Sequence, residues 1–383
     1  MLKRLIIMLI LALCLPTLCL AQESVPTVEE VKTQIGENYV AYPQLTNLAD
    51  ETIQAKINDD IVASSGVTEH LVTLVTLGDS PWGLQVQYQV TLNRDGVFSV
   101  LISAEGKMPN KRNGQAYTAL TYDLTTGDRL GLDSLFQNAD QTMTRLETQA
   151  YGSLSQELTG YTENSDFIPL PQDRFTLDET GITFWYDGEQ FQLLSGYAGA
   201  CQFRYEELQQ DLRKDGLSGQ LGLIRKPLSR QQAAQQVQSC VQAGALPGIP
   251  VQMGQSMTEV IDKYRLVRTP DEFPGGRYYL LEDPAFRDML VISDAMESGY
   301  DHSVVEGIQM KRGGMAGLLI GASTRQDWMD ILGQPQETIV FTDSMAYDYN
   351  LPAGQSDIYH FGEYELRLHG DENGVLRAIQ LCR

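Results

Sequence analysis

A run of strictly alternating residues constrains the fold of this chain more than any other feature of its sequence. Within Leu84–Leu92 the even-numbered positions are apolar, and the odd-numbered positions are glutamine or threonine. A period of two is typical of a β-strand that buries one face. The turn sequence Asn93–Gly96 follows, and a second extended segment occupies Val97–Ala104. Together these segments predict an antiparallel β-hairpin.

Extended and helical segments alternate along the rest of the chain. We expect a helix over Leu48–Ile61 with Asn47 as its cap, a strand over Val72–Leu77, and a helix from Asp133 to about Thr159 with Asp133 capping it. This pattern predicts an α+β fold of several small domains, each with helices packed on an antiparallel sheet.

Composition and turn signals divide the chain into six predicted parts. They are a signal peptide (1–21), a flexible N-terminal segment (22–34), a helix-plus-sheet domain (35–106), an α+β domain (107–215), a connector (216–248) and a tail (249–383). The connector is expected to contain a polar helix rich in glutamine and alanine, Ser229–Ala243, which Gly244 ends.

The first residues predict export from the cytoplasm. Lys3 and Arg4 precede the apolar run Leu5–Leu15, and Cys19 and Ala21 supply the small residues of a signal-peptidase site. An uncleaved anchor is the alternative, although the run is shorter than the roughly 20 residues of a spanning helix. No later apolar stretch reaches that length, so we expect no membrane span after cleavage.

The charge of the chain restricts its partners. Removal of Lys3 and Arg4 with the signal peptide leaves 26 basic residues against 50 acidic ones, a net charge of −24. Such a surface repels nucleic acid and favours basic partners at modest ionic strength. The alternative is that the acidity only keeps an exported protein in solution.

The tail contains an internal repeat, which predicts two halves, 249–316 and 317–383. Gly254–Val260 is echoed 67 positions later by Gly321–Asp327, and Val305–Met310 is echoed 71 positions later by Leu376–Leu381. Each half reads as a helix followed by strands and resembles the repeated units of β-lactamase-inhibitor-protein and outer-membrane-assembly lipoprotein folds. Neither half has much core alone, so we expect the two to pack together.

Recognisable catalytic and cofactor patterns are absent from the sequence. The four histidines have no metal-ligand neighbours at helical spacing, and neither a Cys-x-x-Cys nor a Gly-x-Ser-x-Gly motif occurs. The three cysteines left after cleavage, Cys201, Cys240 and Cys382, predict no disulfide framework. We therefore expect a non-enzymatic binding protein without cofactor or metal, and assign no catalytic residue.

Two motifs in the 107–215 unit carry a family resemblance. Tyr122–Gly127 followed by Leu132–Phe136 resembles the signature of the extracytoplasmic domain (DUF3298) of RsiV-type anti-sigma factors. The upstream unit is similar to the partner domain (DUF4163), and the pair also accompanies the catalytic domain of PdaC-type peptidoglycan deacetylases. The other segments that carry the resemblance are Tyr42–Leu45, Ile57–Ile61, Gly181–Tyr186, Tyr197–Gly199 and Phe203–Leu208.

The resemblance implies a partner and a place for it. RsiV-type domains bind lysozyme directly, so we expect this chain to bind a basic extracellular protein such as lysozyme, or peptidoglycan fragments. Trp185, Tyr186 and Tyr197 are the candidate partner-binding residues, because aromatic side chains anchor interfaces. Aromatic residues at strand spacing are also typical of a core, which is the alternative for Trp185 and Tyr186. A peptidoglycan-modifying enzyme accessory or a hydrolase of the cell envelope is the alternative function, and a purely structural surface protein is the third.

Overall fold

The computed structural model of the chain describes residues 25–78, 80, 83–107, 114–158, 169–186, 200–264, 266–273, 276–281, 289–294, 302–348 and 351–383. The predicted signal peptide, 1–21, lies outside these ranges. The fold is α+β, with helices packed on antiparallel sheets, as predicted. In the part of the chain that the structure describes, no helix combines the length and apolar character needed to cross a membrane.

The N-terminal sheet has five strands, which lie across it in chain order. They are β1 (Thr27–Ile35), β2 (Asn38–Thr46), β3 (Gly83–Arg94), β4 (Val97–Lys107) and β5 (Gly114–Asp123). Neighbouring strands are antiparallel except β2 and β3, which run parallel. The prediction of a flexible segment over 22–34 is wrong for Thr27 onwards, because β1 pairs along its whole length with β2. Its polar side chains are those of an exposed edge strand.

Strands β3 and β4 form the predicted hairpin. Its turn holds Asp95 and Gly96 at φ values of 50° and 73°, a left-handed conformation that glycine adopts freely and aspartate tolerates. The even-numbered residues of β3 from Leu84 to Val90 pack in the core beneath the sheet, as the alternation predicts.

Helices α1 (Glu51–Ser64) and α2 (Val67–Leu77) cover the core face of this sheet. Asp50, rather than the predicted Asn47, caps α1: its carboxylate accepts hydrogen bonds from the backbone amides of the next turn at 2.8 and 3.2 Å. Helix α2 contains the segment Val72–Leu77, for which the strand prediction is wrong.

The middle unit is a three-stranded antiparallel sheet with one long helix. Its elements are α3 (Ala139–Leu158), β6 (Phe175–Leu177), β7 (Gly181–Trp185) and β8 (Ala200–Arg204). It packs on the second face of the N-terminal sheet, where Thr121 Oγ1 donates to the carbonyl of Phe175 at 3.0 Å. The boundary expected between 106 and 107 does not match the structure, because β5 is hydrogen-bonded to β4 as the fifth strand of the first sheet.

The start of the long helix also differs from the prediction. Leu132–Ser134 form a single 3-10 turn, and Leu135 and Phe136 are buried in the core. Helix α3 begins three residues later, where Asn138 Oδ1 accepts a hydrogen bond from the backbone amide of Gln141 at 3.1 Å. Asn138 therefore takes the capping role that we predicted for Asp133.

The segment predicted to be a connector belongs to the C-terminal unit. After the short helix α4 (Leu217–Gln220), helix α5 (Arg230–Gln242) begins with a capping box. Ala233, Val237 and Val241 recur every four residues, form one stripe and are buried in the core of the C-terminal unit. The helix is thus a packed element, and the prediction of a connector over 216–248 is not met.

After α5, the helices and strands of the C-terminal unit are α6 (Met257–Lys263), β9 (Leu266–Phe273), β10 (Gly276–Leu281), β11 (Met289–Ser293), β12 (Gly307–Met310), β13 (Gly314–Met315), β14 (Leu318–Leu319), α7 (Arg325–Leu332), β15 (Glu337–Phe341), α8 (Asp343–Asp348), β16 (Gly354–Phe361), β17 (Tyr364–Asp371) and β18 (Leu376–Cys382). Eight of these strands form one antiparallel sheet, ordered β15-β16-β17-β18-β12-β11-β10-β9. Helices α5, α6 and α7 contribute to the core on one face of it.

The two halves of this unit make corresponding contacts. Each half supplies a helix followed by four strands of the sheet, and the last strands of the halves, β12 and β18, pair at its centre. Gly254 donates its amide proton to the carbonyl of Val305 at 2.8 Å, and Gly321 donates to that of Leu376 at 2.7 Å. These four residues are related by the 67- and 71-residue spacings of the sequence repeat.

A buried arginine joins the C-terminal unit to the middle unit. Arg312 Nε lies 4.0 Å from Glu207 Oε2, and Arg312 Nη1 donates to Cys201 Sγ at 3.1 Å. The guanidinium group lies 4.9 Å from the centroid of the Phe203 ring. Only 11% of the Arg312 side chain and 8% of the Glu207 side chain are exposed, so this contact is an internal part of the fold.

Candidate functional site

The three residues proposed for partner binding have different environments. Tyr186 is completely buried in the core of the middle unit, so its ring is not available to a partner. The alternative that Tyr186 belongs to the core is therefore the correct one. Successive residues of an extended segment point to opposite faces, so Tyr186 points into the core while Trp185 points away from it. Tyr197 lies outside the described residues. Trp185 is the one of the three that the structure places at a partly exposed position.

Trp185 is held in place by two neighbours. Its Nε1 donates a hydrogen bond to Thr176 Oγ1 on β6 at 2.9 Å. Its ring packs against Tyr117 on β5, with ring centroids 5.1 Å apart and a tilt of 38°. Tyr117 is also partly exposed. The pair presents an aromatic surface whose geometry is fixed in advance, because the hydrogen bond and the ring contact both restrict the indole.

An acidic side chain lies beside this aromatic pair. Glu105 on β4 is diagonal to Tyr117 across the strand pair. Burial, together with the charge of Glu105, raises the pKa of Tyr117 to about 12. We call Trp185, Tyr117 and Glu105 the aromatic-acidic site. Sequence reasoning missed Tyr117 and Glu105, although the alternation of β5 places Tyr117 on the face opposite Leu120.

This site continues into an uncovered part of the N-terminal sheet. The middle unit covers the second face near Ser99 and Thr121, where β6 is hydrogen-bonded to it. Further along the same face, Gln87 and Gln89 of β3 are exposed. The aromatic-acidic site therefore lies where the covered and uncovered regions of this face meet.

The signature segments themselves serve the fold. Tyr122 Oη donates to Asp60 Oδ2 at 2.8 Å, and Arg129 Nε donates to the same oxygen at 2.7 Å. Lys56 Nζ donates to Asp128 Oδ1 at 2.6 Å. A side chain at Gly127, which has a φ of 69°, would lie within 3.1 Å of Ile53. These contacts connect the turn after β5 to helix α1.

The histidines on neighbouring strands of the tail do not form a site together. His369 on β17 is buried, with Nδ1 2.8 Å from Ser356 Oγ and Nε2 2.8 Å from the Pro352 carbonyl. His360 on β16 lies 3.7 Å from both Glu337 and Glu365. Within the described residues, no group of three or more His, Cys, Asp or Glu side chains is arranged to hold a metal ion. Among the described residues, Cys201, Cys240 and Cys382 form no disulfide.

A second polar feature is on the C-terminal sheet. Gln309 of β12 and Gln380 of β18 lie directly opposite each other in the two central strands. They are 0% and 4% exposed. Each interrupts an apolar strand at the same relative position of the sequence repeat, which is a sequence signal for the pair.

No family model and no curated protein matches the chain. Solved structures with partial similarity include a DUF3298 family protein from Bacteroides fragilis (TM-score 0.38, 14% identity, covering 52% of this chain and 98% of that one). A DUF3298 family protein from Pseudomonas aeruginosa gives a TM-score of 0.35 with 16% identity, over 52% of this chain and 95% of that one. A DUF4309 family protein from Bacillus subtilis gives 0.26 with 11% identity, over 39% and 95%.

Proposed function

We propose that this chain is an exported, non-enzymatic binding protein that recognises a basic extracellular protein such as lysozyme at the aromatic-acidic site. The observation that carries the proposal is the fixed contact between Trp185 and Tyr117 beside Glu105. Partly exposed aromatic residues held by their neighbours lose little entropy on binding, which favours them as interface anchors.

Charge supports the same kind of partner. The chain carries a net charge of −22, and opposite fields raise the association rate of a cationic protein. Charge alone gives attraction that any basic protein shares and that salt screens beyond about 8 Å at physiological ionic strength. A specific partner therefore needs the aromatic anchors as well as the acidic surface. Peptidoglycan fragments are the other ligand class to test, because they would use the aromatic rings without the charge.

Surface plasmon resonance with immobilised lysozyme tests the proposal on the full chain. We expect saturable binding that persists at about 150 mM salt, where surface charges are screened beyond about 8 Å. The variants Trp185→Leu and Tyr117→Leu should each weaken binding at least about tenfold, equivalent to about 1.4 kcal/mol. Val75→Ser is the matched control, because Val75 is an exposed apolar residue of helix α2 away from the site.

Three outcomes would contradict this function. They are loss of binding at about 150 mM salt, equal binding to polylysine, and equal affinity of the Trp185→Leu and Val75→Ser variants. The chain could instead bind soluble peptidoglycan fragments, independently of salt, and fail to bind lysozyme. That result would assign the aromatic surface to a cell-wall ligand.

A further inference from the structure

The first strand, β1, forms an exposed edge of the N-terminal sheet. It pairs with β2 on one side, and in the part of the chain that the structure describes no strand pairs with its other side. Six of its nine side chains are exposed, and the other three are partly buried. The outer edge of such a strand presents backbone N–H and C=O groups with which another strand can pair.

The sequence of β1 is suited to pairing with a second copy of itself. In an antiparallel pair with full overlap, Thr27 lies opposite Ile35 of the second copy, and Val31 lies opposite its own copy at the two-fold axis. Glu30 then lies opposite Lys32 of the second copy, and Lys32 lies opposite Glu30 of the second copy. Opposite charges at directly opposite positions stabilise a strand pair. Residues two apart share one face of a strand, so these four side chains form a square of alternating charge.

The same charges disfavour the neighbouring registers. Only every second residue of a strand directs its backbone groups outward, so the two-fold axis must pass through a residue. An axis at Glu30 places that carboxylate opposite its own copy, and an axis at Lys32 does the same with the ammonium group. Like charges at directly opposite positions destabilise a strand pair. Charged edge strands often prevent pairing, but here the charges favour the register of greatest overlap.

The other side chains near the square are compatible with this register. Glu29 accepts a hydrogen bond from Thr46 Oγ1 on β2 at 3.2 Å, and it lies opposite the neutral Thr33 of the second copy. Lys32 Nζ lies 4.6 Å from the centroid of the Tyr39 ring. This contact restricts the lysine side chain before pairing, which lowers the entropy lost on association.

We propose that β1 is the interface of a homodimer, in which two copies pair their first strands antiparallel about Val31 and join their N-terminal sheets into one. The interface is isologous, because the same residues of both copies meet across the two-fold axis. This inference goes beyond recognition of a basic protein and does not depend on it. Tyr117 of the aromatic-acidic site is on β5, the opposite edge strand of the sheet.

Sedimentation velocity over a series of protein concentrations tests the dimer. We expect the unsubstituted chain to show a monomer–dimer equilibrium. Lys32→Glu and Glu30→Lys each place like charges opposite each other twice, so each should weaken dimerisation at least about tenfold. An equimolar mixture of these two variants should form a heterodimer, because all of its opposed pairs again have opposite charges. Lys226→Glu is the matched control, since it makes the same change in net charge at an exposed position outside β1 and should leave dimerisation unchanged.

Cysteine cross-linking gives a second readout that does not depend on the charges. Directly opposed residues of an antiparallel pair have Cα atoms about 4.5–5.5 Å apart, a separation that a disulfide spans. Under mild oxidation, Val31→Cys should therefore form a disulfide-linked dimer on non-reducing electrophoresis. Gln34→Cys is the control, because in this register it lies opposite Val28 and is about 20 Å from its own copy.

Four results would overturn the dimer. They are an unsubstituted chain that stays monomeric at every concentration, a mixture of the two charge variants that stays monomeric, equal weakening of dimerisation by Lys226→Glu, and cross-linking of Gln34→Cys as readily as Val31→Cys. None of them bears on lysozyme binding, which is measured separately.

Discussion

Tyr122 donates its hydroxyl proton to Asp60 at 2.8 Å and so ties strand β5 to helix α1. The two residues come from the two sequence units that we had separated at 106/107, and each belongs to a segment that carried the family resemblance. Arg129 donates to both oxygens of the same carboxylate. Burial raises the pKa of Asp60, but the hydrogen bonds from Arg129, Tyr122 and Ser64 outweigh it, so the pKa lies below the usual value. The ionised carboxylate of Asp60 therefore connects helix α1 to strand β5 and the turn after it through these hydrogen bonds.

Removing the hydroxyl group of Tyr122 should destabilise the N-terminal unit without changing its fold. We expect Tyr122→Phe to lower the free energy of unfolding by about 1.5–3 kcal/mol, the contribution of a hydrogen bond to a charged group. Urea denaturation measures the change. Asp59→Asn is the control, because Asp59 is exposed on the same helix. Additive effects in the double variant Tyr122→Phe with Asp60→Asn would contradict a direct interaction, since contacting residues give coupled energies.

Local sequence patterns predicted the strands in which apolar and polar residues alternate regularly. They failed for segments whose secondary structure is determined by tertiary packing. The alternation of Leu84–Leu92 and the Asn93–Gly96 turn predicted the hairpin, although not the register shift between Val90 and Leu92. Val72–Leu77, rich in β-branched residues, was predicted to be a strand. It is helical because Val67 and Leu74 bury one stripe of α2 against the sheet, and tertiary packing overrides weak propensity.

The candidate site was only partly predictable for the same reason. Trp185 could be named from sequence, but its partner Tyr117 lies 68 residues away, on a strand that we assigned to the second unit. Tyr186 was named with it, yet the pleat turns it into the core. Gln309 and Gln380 carried a usable signal, a polar residue at the same place in both repeats. Their meeting at the sheet centre depends on the pairing of β12 with β18, which sequence alone does not give.

The packing of helix α5 can be tested by charge insertion. Val237 is fully buried in the core of the C-terminal unit, and its neighbour Gln238 is exposed. We expect Val237→Asp to destabilise that unit by several kcal/mol, about 3 or more, because a charge is buried without a partner. Gln238→Asp should change the free energy of unfolding by less than about 0.5 kcal/mol. Circular dichroism melts compare the two. Similar melting temperatures for Val237→Asp and Gln238→Asp would mean that helix α5 is not packed in the core and would support the predicted connector.

Among the described carboxylates of the C-terminal unit, Asp357 accepts the most hydrogen bonds. Its side chain is 1% exposed and accepts from both Arg325 Nε and Nη2 at 2.8 and 2.9 Å, from Trp328 Nε1 at 3.0 Å and from Thr338 Oγ1 at 2.8 Å. It therefore joins helix α7 to strands β15 and β16. We expect Asp357→Asn to cost about 3 kcal/mol, the lower end for breaking a buried pair, since Arg325 keeps access to water. Asp343→Asn, at an exposed position, is the control.

The same carboxylate predicts a pH dependence. Burial raises the pKa of Asp357, but the hydrogen bonds from Arg325, Trp328 and Thr338 dominate, and the pKa lies below its usual value. A carboxyl with a lowered pKa in the folded state contributes its full stability above the unfolded pKa of about 3.9 and loses it as the pH falls. The difference in unfolding free energy between the wild type and Asp357→Asn should therefore shrink from about pH 5 to about pH 2. A constant difference would mean that Asp357 is not ionised in the folded chain.

The contact between Arg312 and Glu207 should couple the unfolding of the middle and C-terminal units. Both side chains are largely buried at a separation of 4.0 Å, and removing one partner of a buried pair costs about 3–5 kcal/mol because the other charge stays buried. We expect Arg312→Met to lose stability in this range and to resolve one calorimetric transition into two. Arg230→Met is the matched control, because Arg230 pairs with Asp330 at a position where 74% of its side chain is exposed. Exposed pairs contribute about 0–1 kcal/mol. If both variants melt like the wild type, the two units are not joined through this arginine.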